Sequence, residues 1–220
     1  MITLDNISKT FYTEEIETHA LENINLTVEA GEFAAIMGPS GCGKSTMLNI
    51  MGLLDTATSG SVIIDGVRTD QMADKNMALV RNLKLGFMFQ SFNLIPSLNV
   101  LDNVLLPMLY RKGSSPSENK KRALAIIEQV GLSHRAKHFP AQLSGGQCQR
   151  VAIARALIGD PKVILADEPT GNLDSKMGKE IMEILTKLNR EGVTIVMVTH
   201  DEELAKEAGR IIRLFYGKLV

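Results

Sequence analysis

Neither sign of charge dominates this chain. Lys and Arg number 24 against 25 Asp and Glu, giving a formal net charge of −1. That balance leaves no global footprint for nucleic acid, whose binders are usually strongly basic, and no nucleic-acid partner is expected. The short cluster Lys120-Lys121-Arg122 reads as the solvated face of a helix. Cysteine is scarce, with only Cys42 and Cys148 in the sequence. Neither reads as half of a structural staple, and a reducing cytosol is the natural compartment. No apolar run approaches the ~20 residues needed to cross a bilayer. If the protein works at a membrane, a partner spans it. The start, Met1 to Asp5, lacks the basic region and long apolar core of a signal peptide and reads as the beginning of a strand. Internal repeats, low-complexity tracts and heptad runs are also missing.

What is present begins with Gly38-Pro39-Ser40-Gly41-Cys42-Gly43-Lys44-Ser45, a full match to the phosphate loop G-x-x-x-x-G-K-[ST], continued by Thr46. The apolar run Phe33 to Met37 leads in as a buried strand would, and a helical stretch from Ser45 to Leu54 leads out. Backbone N–H groups must converge on phosphate oxygens, which requires glycines without an obstructing Cβ and profits from a helix N-terminus. Lys44 would reach the β- and γ-phosphates, and the Ser45 hydroxyl would ligate Mg²⁺. A plain glycine-rich turn needs neither that lysine nor that hydroxyl. The run points to a nucleoside triphosphate.

A second motif, Leu143-Ser144-Gly145-Gly146-Gln147, precedes a helical pattern over Gln149 to Gly159. Ser144 is placed as its N-cap, and the glycines around Gly146 let backbone approach an anion. One nucleotide does not need two such termini within one protomer. Two copies facing each other do, each lending its second terminus to the other's ATP. The apolar run Pro161 to Ala166 then ends in Asp167-Glu168, at the strand end where ligands gather. Asp167 suits the Mg²⁺ shell, its alternative being the N-cap of the next helix. Glu168 could polarise an attacking water or be a solvated loop charge.

The remaining chain supports one α/β domain, too long for a small module and too short for two full domains. Ile2 to Ile7, Ala20 to Val28 and Ser61 to Ile64 read as strands of an antiparallel portion, within a first stretch of about 90 residues that alternates strands and turns. From about residue 91 to 142 the pattern turns helical, over Val100 to Tyr110 and Ser117 to Val130, separated by the breakers Gly113 to Pro116. Strand–helix alternation resumes after Leu143, through strands near Val163, Ile195 and Ile211. The expected fold is α/β, a mostly parallel sheet with an antiparallel β subdomain and an inserted α-helical subdomain.

The order phosphate loop, Gln90, Leu143 to Gln147, Asp167-Glu168, Asp174, His200 resembles the nucleotide-binding subunit of ABC transporters over essentially the whole chain. That resemblance implies a P-loop ATPase using ATP and Mg²⁺, dimerising with a second subunit around two nucleotides and powering an integral membrane permease from the cytoplasmic face. It implies that Gln90, ending the strand Leu85 to Phe89, touches Mg²⁺ and water, and that His200, after the strand Thr194 to Thr199, contacts the γ-phosphate. Gly171-Asn172-Leu173-Asp174 would cross the dimer interface, with helix capping a second task for Asp174. An aromatic before the first long strand would stack on adenine. Phe11 is favoured on spacing over Tyr12, although it could equally cover a sheet edge. The sequence around the nucleotide most resembles the lipoprotein-releasing and macrolide-exporting branch. A non-transport ATPase of the same family acting on the ribosome or DNA is the alternative, although such proteins usually carry two domains or long coiled coils. A small-molecule phosphoryl transferase would have no use for Leu143 to Gln147. Finally, Phe92, Leu94, Ile95 and Leu98 follow Gln90 in a Pro-containing loop, where exposed apolar side chains would mark the permease surface.

Overall fold

The computed structural model describes residues 1–12, 16–111 and 113–220. In chain order its elements are β1 (Ile2–Tyr12), β2 (Glu17–Val28), β3 (Phe33–Met37), α1 (Lys44–Met51), β4 (Ser59–Ile64), β5 (Val67–Arg68), α2 (Asp74–Lys84) and β6 (Leu85–Met88). They continue as α3 (Val100–Leu105), α4 (Pro116–Gln129), α5 (Gly145–Leu157), β7 (Val163–Asp167), α6 (Ser175–Arg190), β8 (Thr194–Val198), α7 (Glu202–Ala205), β9 (Arg210–Phe215) and β10 (Lys218–Leu219).

The continuous apolar runs form one six-stranded sheet, ordered β10-β9-β3-β8-β7-β6. Its pairs from β9 to β6 are parallel, and only β10 runs antiparallel, to β9. The other strands form an antiparallel sheet ordered β2-β1-β4-β5. A parallel sheet must be covered on both faces, and period-two alternation assigns each residue its side. Ala34, Ile36, Val163, Leu165, Val196 and Val198 pack with α1 and the antiparallel sheet. Phe33, Ala35, Ile164, Ala166, Ile195 and Met197 pack on the other face with α3 to α6. Each Val, Leu, Ile, Phe or Met among them contributes ~1.5–3 kcal/mol through burial. Because β3, β6, β7 and β8 run parallel, the phosphate loop, Gln90, Asp167-Glu168 and His200 all leave the same edge of the sheet.

Two local readings are corrected. The first 90 residues include α2, which carries no fully buried residue and no side-chain N-cap, so its apolar periodicity is weak. The helix expected from Val100 to Tyr110 is α-helical only to Leu105 and continues as a 3₁₀ turn over Leu106–Tyr110, because Pro107 has no N–H for the α ladder. As the Ser144 cap implies, α5 begins at Gly145, four residues before the apolar pattern read from Gln149. Its cap overrides the poor helix propensity of two glycines.

Candidate functional site at the parallel strand ends

The loop after β3 is held by close backbone approaches. Gly43 has φ 104, and a Cβ there would lie 2.4 Å from the Ala20 carbonyl oxygen. A Cβ on Gly38 would lie 2.0 Å from the Leu214 oxygen, so neither position admits a side chain. From the β9–β10 turn, the Gly217 N–H donates to the Cys42 carbonyl at 3.1 Å. Lys44 is only 8 % exposed, and its Nζ donates to the carbonyls of Gly38 and Pro39 at 2.8 Å each. The ammonium is therefore poised above the loop.

One turn into the site, the Ser45 hydroxyl donates to Asp167 Oδ1 at 3.3 Å. Asp167 is the last residue of β7 and caps no helix. Burial pushes its carboxyl above the usual value of 3.8, and the nearby Glu168 charge adds to the rise. The Ser45 hydrogen bond and Lys44 oppose it. A serine hydroxyl beside a half-buried carboxylate is an all-oxygen pair of the kind a hard divalent cation takes up together with substrate phosphates. The described residues contain no cluster of three or more His, Cys, Asp or Glu that could hold a metal alone.

Glu168 turns the chain out of β7 with φ 44, in the left-handed region. Its N–H donates to the Val198 carbonyl at 2.9 Å, and its own carbonyl accepts from Gly171 N–H at 3.0 Å. Its carboxylate Oε1 lies 3.0 Å from His200 Nδ1. A Cβ on Gly171 would fall 2.9 Å from Gln90 Nε2 and 3.1 Å from Glu168 Oε2. Gln90 and Glu168, distant in sequence, thus converge around one glycine, and His200 joins them through the other oxygen of Glu168. Asn172 Nδ2 anchors the Gln90 carbonyl at 2.9 Å.

At the start of α5, Ser144 accepts from the Gln147 N–H, and the Gln147 side chain accepts from the Ser144 N–H. This reciprocal box satisfies two orphan donors. Gly145 packs on Leu173, and Gly146 lies so close to Met177 that a Cβ would meet its sulfur at 2.8 Å. Asp174 caps α6 by accepting from Met177 N–H at 2.9 Å, which is the second task read from the sequence. Phe11 pairs with Thr18 in β2, two residues from the carbonyl that Gly43 abuts. Lys9 Nζ sits 4.8 Å from its ring centroid. Phe11 is 43 % and Tyr12 69 % exposed.

The loop after Gln90 is less exposed than expected. Phe92 and Leu98 are half-buried, Leu94 packs against the helical core, and only Ile95 of the four is exposed. The sequence reading placed Asn172 in the interface loop without its tie to Gln90, and it missed Arg155. Arg155 donates to the carbonyls of Phe92, at 2.7 Å, and of Asn93. Both bind backbone carbonyls far away in sequence, and a carbonyl leaves no residue-type signal.

A family model described as ABC transporter matches residues 21–171. The chain belongs to the ABC transporter family. It is 54% identical to an uncharacterized ABC transporter ATP-binding protein of Methanocaldococcus jannaschii, covering 100% of this chain and 98% of the relative. It is 48% identical to the macrolide export ATP-binding/permease protein MacB of Chlorobaculum tepidum, over 100% of this chain but 34% of that protein. Among solved structures it is similar to a dimeric structure of the ABC transporter cassette MJ0796, at 52% identity and TM-score 0.92, covering 100% of this chain and 96% of the other. A dimeric post-hydrolysis state of the same cassette, bound to ADP and Pi, matches at 51% identity and TM-score 0.92 with the same coverage. This chain is an ATP-binding subunit of the ABC ATPase class, with the mixed parallel and antiparallel architecture of its solved relatives.

Proposed function

We propose that this cassette hydrolyses ATP with Mg²⁺ as a dimer and powers a membrane permease of the lipoprotein-releasing or macrolide-exporting type from the cytoplasmic face. The observation that carries the reading is the meeting of Gln90 and Glu168 at Gly171, with His200 on Glu168, beside the Ser45–Asp167 pair. The ADP- and Pi-bound dimer of the similar cassette supports hydrolysis and pairing. The joined ATP-binding/permease name of MacB supports a permease partner.

In this reading the N–H groups of Gly38 to Thr46 (Pro39 has none) and the Lys44 ammonium bind the phosphates. Ser45 and Asp167 would hold Mg²⁺, with the Gln90 side chain alongside. When bound, the ion neutralises charge on the β- and γ-phosphate oxygens. Phe11 stacks on adenine. Glu168 accepts a proton as the water oxygen bonds to the γ-phosphorus and the bond to the bridging oxygen breaks, leaving ADP and phosphate. His200 holds Glu168 in place and faces the γ-phosphate. The partner's nucleotide meets Ser144 and Gly146 at the start of α5, with Gly171 to Asp174 running along the interface. Little covalent chemistry falls to the protein, so positioning and charge neutralisation dominate.

For the permease, a groove of about 590 Å³ opens between α2, β6 and the helical region, lined by Leu79, Phe87, Phe89, Asn93, Tyr110 and Arg155. Its largely apolar walls adjoin the loop after Gln90, which suits a short permease helix. The described residues contain no helix long and apolar enough to cross a membrane. Phosphate release from Mg-ATP tests the reading. The wild-type chain should turn over, and Lys44→Ala should lose nearly all activity while staying folded. Near wild-type turnover by Lys44→Ala would reject it.

A further inference from the structure

Gln149 lies one turn into α5 and is 0 % exposed. Its Nε2 donates to the carbonyl of Pro169 at 2.5 Å, one residue beyond Glu168. Its Oε1 is buried without a hydrogen-bond partner. Stability alone does not account for such a residue. An unmet buried acceptor costs stability, which offsets what the hydrogen bond to Pro169 contributes.

The geometry around it points elsewhere. Gly145 and Gln149 are four residues apart and share one face of α5. Gly145 packs on Leu173, and Gln149 grips Pro169, so this face rests on the turn that begins at Glu168. The turn itself holds the strained φ of Glu168, a conformation that persists only when its surroundings enforce it. Further along the same helix, Arg155 grips the carbonyls of Phe92 and Asn93 beyond Gln90. The start of α5 is what a protomer offers to its partner's nucleotide, and Glu168 serves its own.

We infer that Gln149 is a positioning residue that locks the start of α5 to the Glu168–Pro169 turn, so that the two half-sites carried by one protomer move as one unit. A partner's ATP drawing in Ser144 and Gly146 thereby sets the Glu168 carboxylate of the same protomer. The inference rests on the proposed ATP-driven dimer.

Gln149→Met tests it, with Gln149→Leu as a second variant that branches differently and keeps the apolar volume. Both remove the amide donor together with the orphan acceptor. Because the unmet Gln149 Oε1 is exchanged for an unmet Pro169 carbonyl, each variant should melt near the wild-type temperature, and nucleotide affinity at the phosphate loop should be unchanged. Turnover should fall by about 10- to 100-fold, as expected of a displaced catalytic group. The Hill coefficient for ATP should drop from ~2 toward 1, two being the number of coupled sites. Wild-type turnover and cooperativity in either folded variant would overturn the inference, as would a loss of activity that only tracks a lowered melting temperature. If the wild-type chain itself neither dimerises nor hydrolyses ATP, the functional reading fails instead, so the two failures are distinguishable.

Discussion

Glu168 Oε1 and His200 Nδ1 lie 3.0 Å apart, joining residues 32 positions apart in sequence across the ends of β7 and β8. A carboxylate only accepts hydrogen bonds, so Nδ1 carries the proton in this contact. The contact fixes a carboxylate that the left-handed backbone at Glu168 already aims away from the strand. In the proposed reaction His200 acts through Glu168 as well as through any phosphate it meets.

His200→Ala should leave ATP binding near wild type, because the phosphate loop does not depend on it. Steady-state turnover should fall by about 10²-fold, the scale of a misplaced proton acceptor. Phosphate-release kinetics beside nucleotide titration separate the two. A variant with full turnover would remove His200 from the site.

Asp167 carries a linked prediction in pH. Burial raises its carboxyl above 3.8, so the folded protein binds this proton more readily than the unfolded chain. Above the raised value the buried charge costs stability, and below it the cost disappears. Asp167→Asn, studied without nucleotide, should therefore melt higher than wild type at neutral pH. The gap should narrow as pH falls through the raised value toward 3.8. Mg²⁺-dependent hydrolysis should be lost at every pH. Thermal melts from acid to neutral pH check the sign, and a gap that widens on acidification would contradict it.

The loop beyond Gln90 separates two variants that look equivalent in sequence. Leu94 packs against the helical core, so Leu94→Glu should lower the melting temperature of the isolated cassette. Ile95 is exposed, so Ile95→Glu should keep both stability and basal ATPase activity. It should instead reduce recovery of the co-expressed permease and the stimulation that permease gives. Pull-downs with both variants check this, and equal recovery by Ile95→Glu and wild type would place the docking surface elsewhere.

Much of this molecule is legible from residue order alone. The phosphate loop, the Ser144 cap and the acidic end of β7 carry their chemistry in residue type and spacing, and β3 and β8 stand out because buried parallel strands are continuous apolar runs. The helix α2 was hidden because its apolar side chains face a half-open groove, leaving Leu79 and Leu83 exposed and the periodicity blurred. The 3₁₀ turn after α3 was signalled by Pro107, yet the apolar spacing around it reads as one helix. Burial in the loop after Gln90 could not be read either, since a loop's contacts depend on which helix crosses it, here α5 through Arg155. The ties made by Asn172, Arg155 and Gln149 end on backbone carbonyls, and only coordinates reveal them.

The central claim is that this cassette closes as a dimer around ATP and opens after hydrolysis by way of Glu168. Glu168→Gln keeps the shape of the site but removes the proton acceptor, so hydrolysis should fall by roughly 10²-fold or more and the closed state should persist. Gel filtration of this variant with and without ATP is the most direct measurement. The account predicts a dimer with ATP and a monomer without it. A variant that binds ATP fully yet elutes as a monomer, or that hydrolyses at the wild-type rate, would contradict it.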